Sequence, residues 1–74
     1  MAEIVLRVRL IGGDHLDVTY DEPEISEETQ IIEHAVSTLA EESGVLRTTH
    51  GNRLVVLYGR GVAALEVAPR GAVL

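Results

Sequence analysis

Cysteine is absent from the chain, which rules out disulfides and thiolate metal sites outright. Lysine is absent too, so all six basic residues are arginine. There is no phenylalanine or tryptophan and only two tyrosines, so any core must be aliphatic. No apolar run approaches the roughly 20 residues of a membrane-spanning helix, and Met1-Ala2-Glu3 carries neither the basic region nor the cleavage site of a secretory leader. These absences lead to the expectation of a cytoplasmic protein with no membrane partner. Richness in Ala, Val and Gly, with Arg in place of Lys, matches the codon bias of a high-GC bacterium.

The 74 residues leave room for one domain, 1–74, and no second core. Such a chain buries only about 60% of the surface its unfolded form exposes. Without disulfides or a thiolate metal, self-association or a protein partner is the expected supplement to stability.

Hydrophobic periodicity gives the element order. Ile4, Leu6, Val8 and Leu10 alternate with Val5, Arg7, Arg9 and Ile11, the period of a strand. Gly12-Gly13-Asp14 supplies turn residues, and Leu16, Val18 and Tyr20 alternate again as the return strand. Asp21-Glu22-Pro23-Glu24 should break the sheet. Ser26 is expected to cap a helix with Glu27 and Glu28 in its first turn. Ile31, Ile32, Ala35, Val36, Leu39 and Ala40 form its apolar stripe, and Gly44 follows its end near Ser43. Three β runs complete the chain: Val45 to Thr49, Arg53 to Tyr58, and Val62 to Ala68, before an apolar tail from Arg70 to Leu74. The order is ββαβββ, an α+β fold with one helix packed on one face of a mainly antiparallel five-stranded sheet. A β-grasp-like sheet and a plain twisted meander both fit it.

Charge is divided along the sequence. Ten carboxylates and no arginine lie between Asp14 and Glu42, while Arg7, Arg9, Arg47, Arg53, Arg60 and Arg70 all lie outside that window. One reading is a solvated surface in which Arg7 and Arg9 pair with acids such as Asp17. The other is a partner contact: with the helix on the Ile4 face, Val5, Arg7, Arg9 and Ile11 are expected to stay uncovered. Val55 and Leu57 are expected to join them, because the Arg53 to Tyr58 run is apolar on both faces. A mixed arginine and aliphatic face of this kind suits a protein interface.

Catalytic chemistry finds little support. His15, His34 and His50 are not at ligand spacing, although His34 with Glu33 and Glu41 could collect a surface cation. Ser26, Ser37 and Ser43 are explained by the helix, and Thr48 and Thr49 lack the amino-terminal position usual for a threonine nucleophile. Gly12-Gly13 and Gly59-Arg60-Gly61 read as turns, since neither opens a helix that could receive a phosphate. A net charge of −6, with no aromatics among the arginines, argues against a nucleic-acid partner. No residue is assigned a catalytic, cofactor-binding or metal-binding role.

Ser43-Gly44-Val45-Leu46-Arg47, the Arg53 to Tyr58 strand and Val62-Ala63-Ala64-Leu65-Glu66-Val67 together resemble a family of small uncharacterised actinobacterial proteins, some catalogued as ATP-binding. The resemblance covers the carboxy-terminal half and implies the same strand pattern. With no phosphate-binding motif present, the nucleotide label is not carried over. The function expected from the residues is a non-catalytic protein-interaction domain, a homodimer or the small subunit of a bacterial assembly. The alternative is an acidic inhibitor or antitoxin-like protein that engages a basic partner through residues 14–42.

Overall fold

A computed structural model describes residues 2–67. Their order is β1 (Ala2–Leu10), β2 (His15–Glu22), α1 (Glu28–Ala40), β3 (Val45–His50), β4 (Arg53–Tyr58), a 3-10 turn (Gly59–Gly61) and β5 (Val62–Val67). The strands form one sheet in the order β4-β3-β2-β1-β5, and every pairing is antiparallel. Of the two arrangements compatible with the sequence, this is the meander: β1 to β4 are neighbours in succession, and β5 returns to the far side of β1. The expected positions of Ala68, Pro69 and the Arg70 to Leu74 tail lie outside the described residues.

β1 and β2 are joined through Ile11–Asp14, where Gly13 takes a φ of 102° and the Leu10 N–H donates to the Asp14 carbonyl at 2.8 Å. β2 runs through Asp21 to Glu22, so the strand continues to the residue just before Pro23. Between β3 and β4 a two-residue turn, Gly51-Asn52, has φ of 61° at Gly51 and no positive φ at Asn52. Those signs identify a type II′ turn, which requires glycine at its first central position.

The helix differs from expectation at both ends. Its N-cap is Glu27, not Ser26, and no side chain caps it. It stops at Ala40, three residues before Ser43, and Gly44 does not adopt a left-handed conformation. Gly44 is needed for a different reason: a Cβ there would overlap the carbonyl of Thr38. Gly59 is equally confined, since a Cβ would collide with the Glu41 carbonyl and lie 2.7 Å from that of Leu39. The Gly59 N–H donates to the Gly44 carbonyl at 2.8 Å, so the two glycines together hold the ends of β3 and β4 against the end of α1.

The core lies between α1 and one face of the sheet. Ile4, Leu6 and Val8 of β1, Val18 and Tyr20 of β2, Leu46 of β3 and Leu57 of β4 are buried against Ile31, Ala35 and Leu39. The apolar stripe of α1 is narrower than its sequence suggests: Ile32 is half-buried, and Val36 and Ala40 are exposed. The one buried polar side chain among the described residues is Thr48. Its hydroxyl donates to the Val55 carbonyl at 2.7 Å, which removes the cost of burying it.

The sheet is strongly coiled. In a flat sheet the edge strands β4 and β5 would lie about 19 Å apart at the usual strand spacing. Only Gly59–Gly61 connect them, and four residue steps span about 14 Å even when fully extended. The covered face is therefore concave around α1, and the opposite face is convex.

Candidate functional site: the outer face of the sheet

Strand register fixes which residues share the convex face. Across β1 and β2, Val5 faces Thr19, Arg7 faces Asp17 and Arg9 faces His15. β5 adds Ala64 and Glu66, opposite Arg9 and Arg7. β2 meets β3 through the Thr19 and Thr49 pair. From there Thr49 faces Leu54, Arg47 faces Val56 and Val45 faces Tyr58.

Both arginines of β1 have carboxylate partners within the chain. The Arg7 Nε donates to Asp17 Oδ1 at 2.9 Å and its Nη2 to Oδ2 at 3.3 Å, a two-pronged contact matched to a planar carboxylate. This hydrogen bond, reinforced by the guanidinium charge, holds Asp17 below the usual aspartate range. Arg9 pairs with Glu66 of β5. These pairs tie β1 to its neighbours on each side and neutralise that part of the face.

The β3–β4 part of the same face is different. Leu54 is 64% exposed, Tyr58 48% and Val45 43%, with half-buried Val56 between them. The Arg60 guanidinium lies 5.0 Å above the Tyr58 ring, within cation–π range. Isolated exposed apolar residues are common; here four occupy adjacent rows of two paired strands.

Of the six residues expected on an interface, Val5, Arg7 and Arg9 lie on the outer face. Ile11 lies beyond the strand in the turn and is 68% exposed. Val55 and Leu57 require correction: they point to the helix side, where Leu57 is buried at 4% exposure and Val55 packs against the core. The physical reason is the Gly51-Asn52 turn. It sets His50 opposite Arg53, and counting along the ladder then places Leu54, Val56 and Tyr58 outward. Arg47 and Thr49 on β3 carry the signal that could have assigned this parity.

The histidines have local roles. The His34 ring stacks on Tyr20, with centroids 6.2 Å apart and planes 10° from parallel. Burial, with help from the Glu22 carboxylate, pushes the Tyr20 hydroxyl above its usual range. His50 Nδ1 lies 2.6 Å from the Asp17 carbonyl; since a carbonyl only accepts, that nitrogen carries the proton. Among the described residues no group of three or more acidic, histidine or cysteine side chains could hold a metal. No helix among them is long and apolar enough to cross a membrane.

Two shallow depressions lie elsewhere among the described residues. One runs between α1 and β5 and is lined by Val36, Ala40, Val62, Ala63 and Leu65. The other lies at the end of α1, among Glu41, Glu42, Ser43 and Arg60. Comparison with protein-family models, curated proteins and solved structures returns no match.

Proposed function

We propose that the chain is a non-catalytic protein-interaction domain whose contact surface is the β3–β4 part of the outer face. One observation carries this reading: Val45, Leu54, Val56 and Tyr58 form an uncovered apolar patch in adjacent rows. On the same face the Arg7–Asp17 and Arg9–Glu66 pairs of β1, β2 and β5 supply charged surface beyond it. An apolar centre with a charged rim is the usual anatomy of a protein interface. The role of the β1 arginines is therefore to border the contact, not to form its centre.

The test compares the wild-type chain with Leu54→Asp and with the Arg7→Glu, Arg9→Glu double variant. Molar mass is measured by light scattering at low and at high salt, beside affinity capture of partners by each chain. Leu54→Asp is expected to lose both self-association and specific capture, and the apolar contact should persist in high salt. A wild-type chain that stays monomeric and captures nothing that Leu54→Asp does not would overturn the reading.

A further inference from the structure

Two rows of side chains cross the middle of the outer face at the seam between β2 and β3. Strand register aligns Leu54, Thr49, Thr19 and Val5 in the first row. That row is a near-palindrome about the seam: a threonine stands on each side of it, with an aliphatic residue beyond each threonine. Carried two residues along each strand, the same register aligns Val56, Arg47, Asp21 and Glu3 in the second row. Here the seam divides charge, with Arg47 on one side and two carboxylates on the other.

The charges of the second row are unmatched within the chain. Arg7 and Arg9 have carboxylate partners, but among the described residues Arg47, Asp21 and Glu3 have none. All three are exposed. Glu3 stands directly opposite Asp21, and like charges facing each other across strands are destabilising. β2 and β3 are registered at the single pair Thr19 and Thr49. His50 reinforces the seam at the Asp17 carbonyl, on the side away from Arg47.

We infer that the outer faces of two copies of this chain pack together about a two-fold axis running along the β2–β3 seam, with Arg47 of each copy set against Asp21 and Glu3 of the other. This deepens the interaction reading above and rests on it. The axis lays β3 over β2 of the second copy and β4 over its β1. Leu54 then meets Val5, Thr49 meets Thr19, and Arg47 covers the facing carboxylates, each contact occurring twice. A two-fold interface requires a self-complementary patch. The first row supplies it in shape and the second in charge.

Charge selects this axis over one running across the strands, which would stack β3 on β3. Through the second row, such an axis would place Arg47 on its own counterpart, and like-charge juxtaposition is costly. Through the first row, it would set Arg47 over Gly51, beside an Asp17 already held by Arg7. Shape agrees with the seam axis. Two convex faces touch along their crests, and threonines at the axis are small enough to let the sheets approach. The long arginine spans the wider gap beside them, where its planar guanidinium suits carboxylate partners.

The test uses the full chain, with sedimentation velocity for mass and circular dichroism for fold. The wild type is expected to be a dimer. Arg47→Glu turns carboxylate against carboxylate, and Asp21→Arg turns arginine against arginine. Each variant alone should keep its fold and dimerise at least tenfold more weakly. Mixed in equal amounts, the two should form a heterodimer, because each introduced charge then meets its opposite on the other chain. An ion pair confined to one chain cannot produce that rescue. A mixture as monomeric as its components, or a wild type monomeric at millimolar concentration, would overturn the inference. A dimer that Leu54→Asp dissolves but both charge variants leave intact would overturn the seam axis while keeping a protein-contact role for the outer face.

Discussion

On the β1–β2–β5 part of the outer face, charge is matched: Arg7 pairs with Asp17 directly opposite it, and Arg9 with Glu66 on the diagonal. On the β3–β4 part the rows are Arg47 with Val56, Thr49 with Leu54 and Val45 with Tyr58, and Arg47 has no carboxylate partner among the described residues. Support differs as well. β1 is paired along both edges, whereas β3 joins β2 through a single registered pair, Thr19 and Thr49. The Thr49 hydroxyl and His50 reinforce that seam from the side chains. The first part satisfies itself; the second presents apolar surface and an edge with no strand beside it among the described residues, and it depends on α1 and two glycines for its position. One sheet thus divides into a self-contained half and a half that leaves apolar side chains uncovered.

The largest expected effect tests whether both parts share one core. Leu6 sits at the centre of that core with 1% exposure, and Leu6→Ala should cost about 2–5 kcal/mol. Chemical denaturation should show one transition, with β3–β4 lost together with β1–β2. Two separate transitions would mean that the parts are independent units.

Gly44→Ala sharpens the comparison. The new methyl must displace the Thr38 carbonyl or the start of β3, and overpacking of this kind costs about 1–3 kcal/mol. Amide exchange should accelerate first in β3 and β4, while the β1–β2 ladder keeps its protection. Uniform acceleration across both would remove the distinction drawn at the seam.

The smallest effect concerns the exposed ladder. The Asp17 carboxyl is held low by Arg7, so its contribution is complete above the ordinary aspartate pKa of about 3.9. That contribution is lost as pH falls through the lower, folded value. Arg7→Ala should return Asp17 to the ordinary range in an NMR titration and leave stability between pH 5 and 9 almost unchanged, because exposed ion pairs contribute little. A large loss of stability at neutral pH would mean that the ladder carries more of the fold than its exposure allows.

How much of this was legible in the sequence varied with how strongly each segment constrains its own parity. Ile4 to Leu10 and Leu16 to Tyr20 alternate apolar with polar residues, so the hairpin and its outer Arg7 and Arg9 follow directly from period two. The helix was equally plain from Ile31, Ala35 and Leu39, but its ends were not. The ending depends on how closely Gly44 and Gly59 approach the last carbonyls, a tertiary fact that local capping rules do not contain. Leu54-Val55-Val56-Leu57 is apolar at every position and cannot declare its faces. They are set through the Gly51-Asn52 turn by Arg47 and Thr49 on the neighbouring strand. Strand order also lay beyond the pattern, because the return of β5 to β1 is a long-range pairing with no local signature.

That return has a kinetic consequence. β1 can pair with β2 as soon as their short connection closes, but Leu6 waits for Val67 and Val8 for Leu65, partners from the far end of the described chain. The entropy lost in closing such a loop must be met before its contacts reward it, and folds dominated by distant pairings are correspondingly slow. Until β5 arrives, the outer edge of β1 is bare, so the folding chain passes through a state with an exposed ladder. Completing the fold covers that ladder.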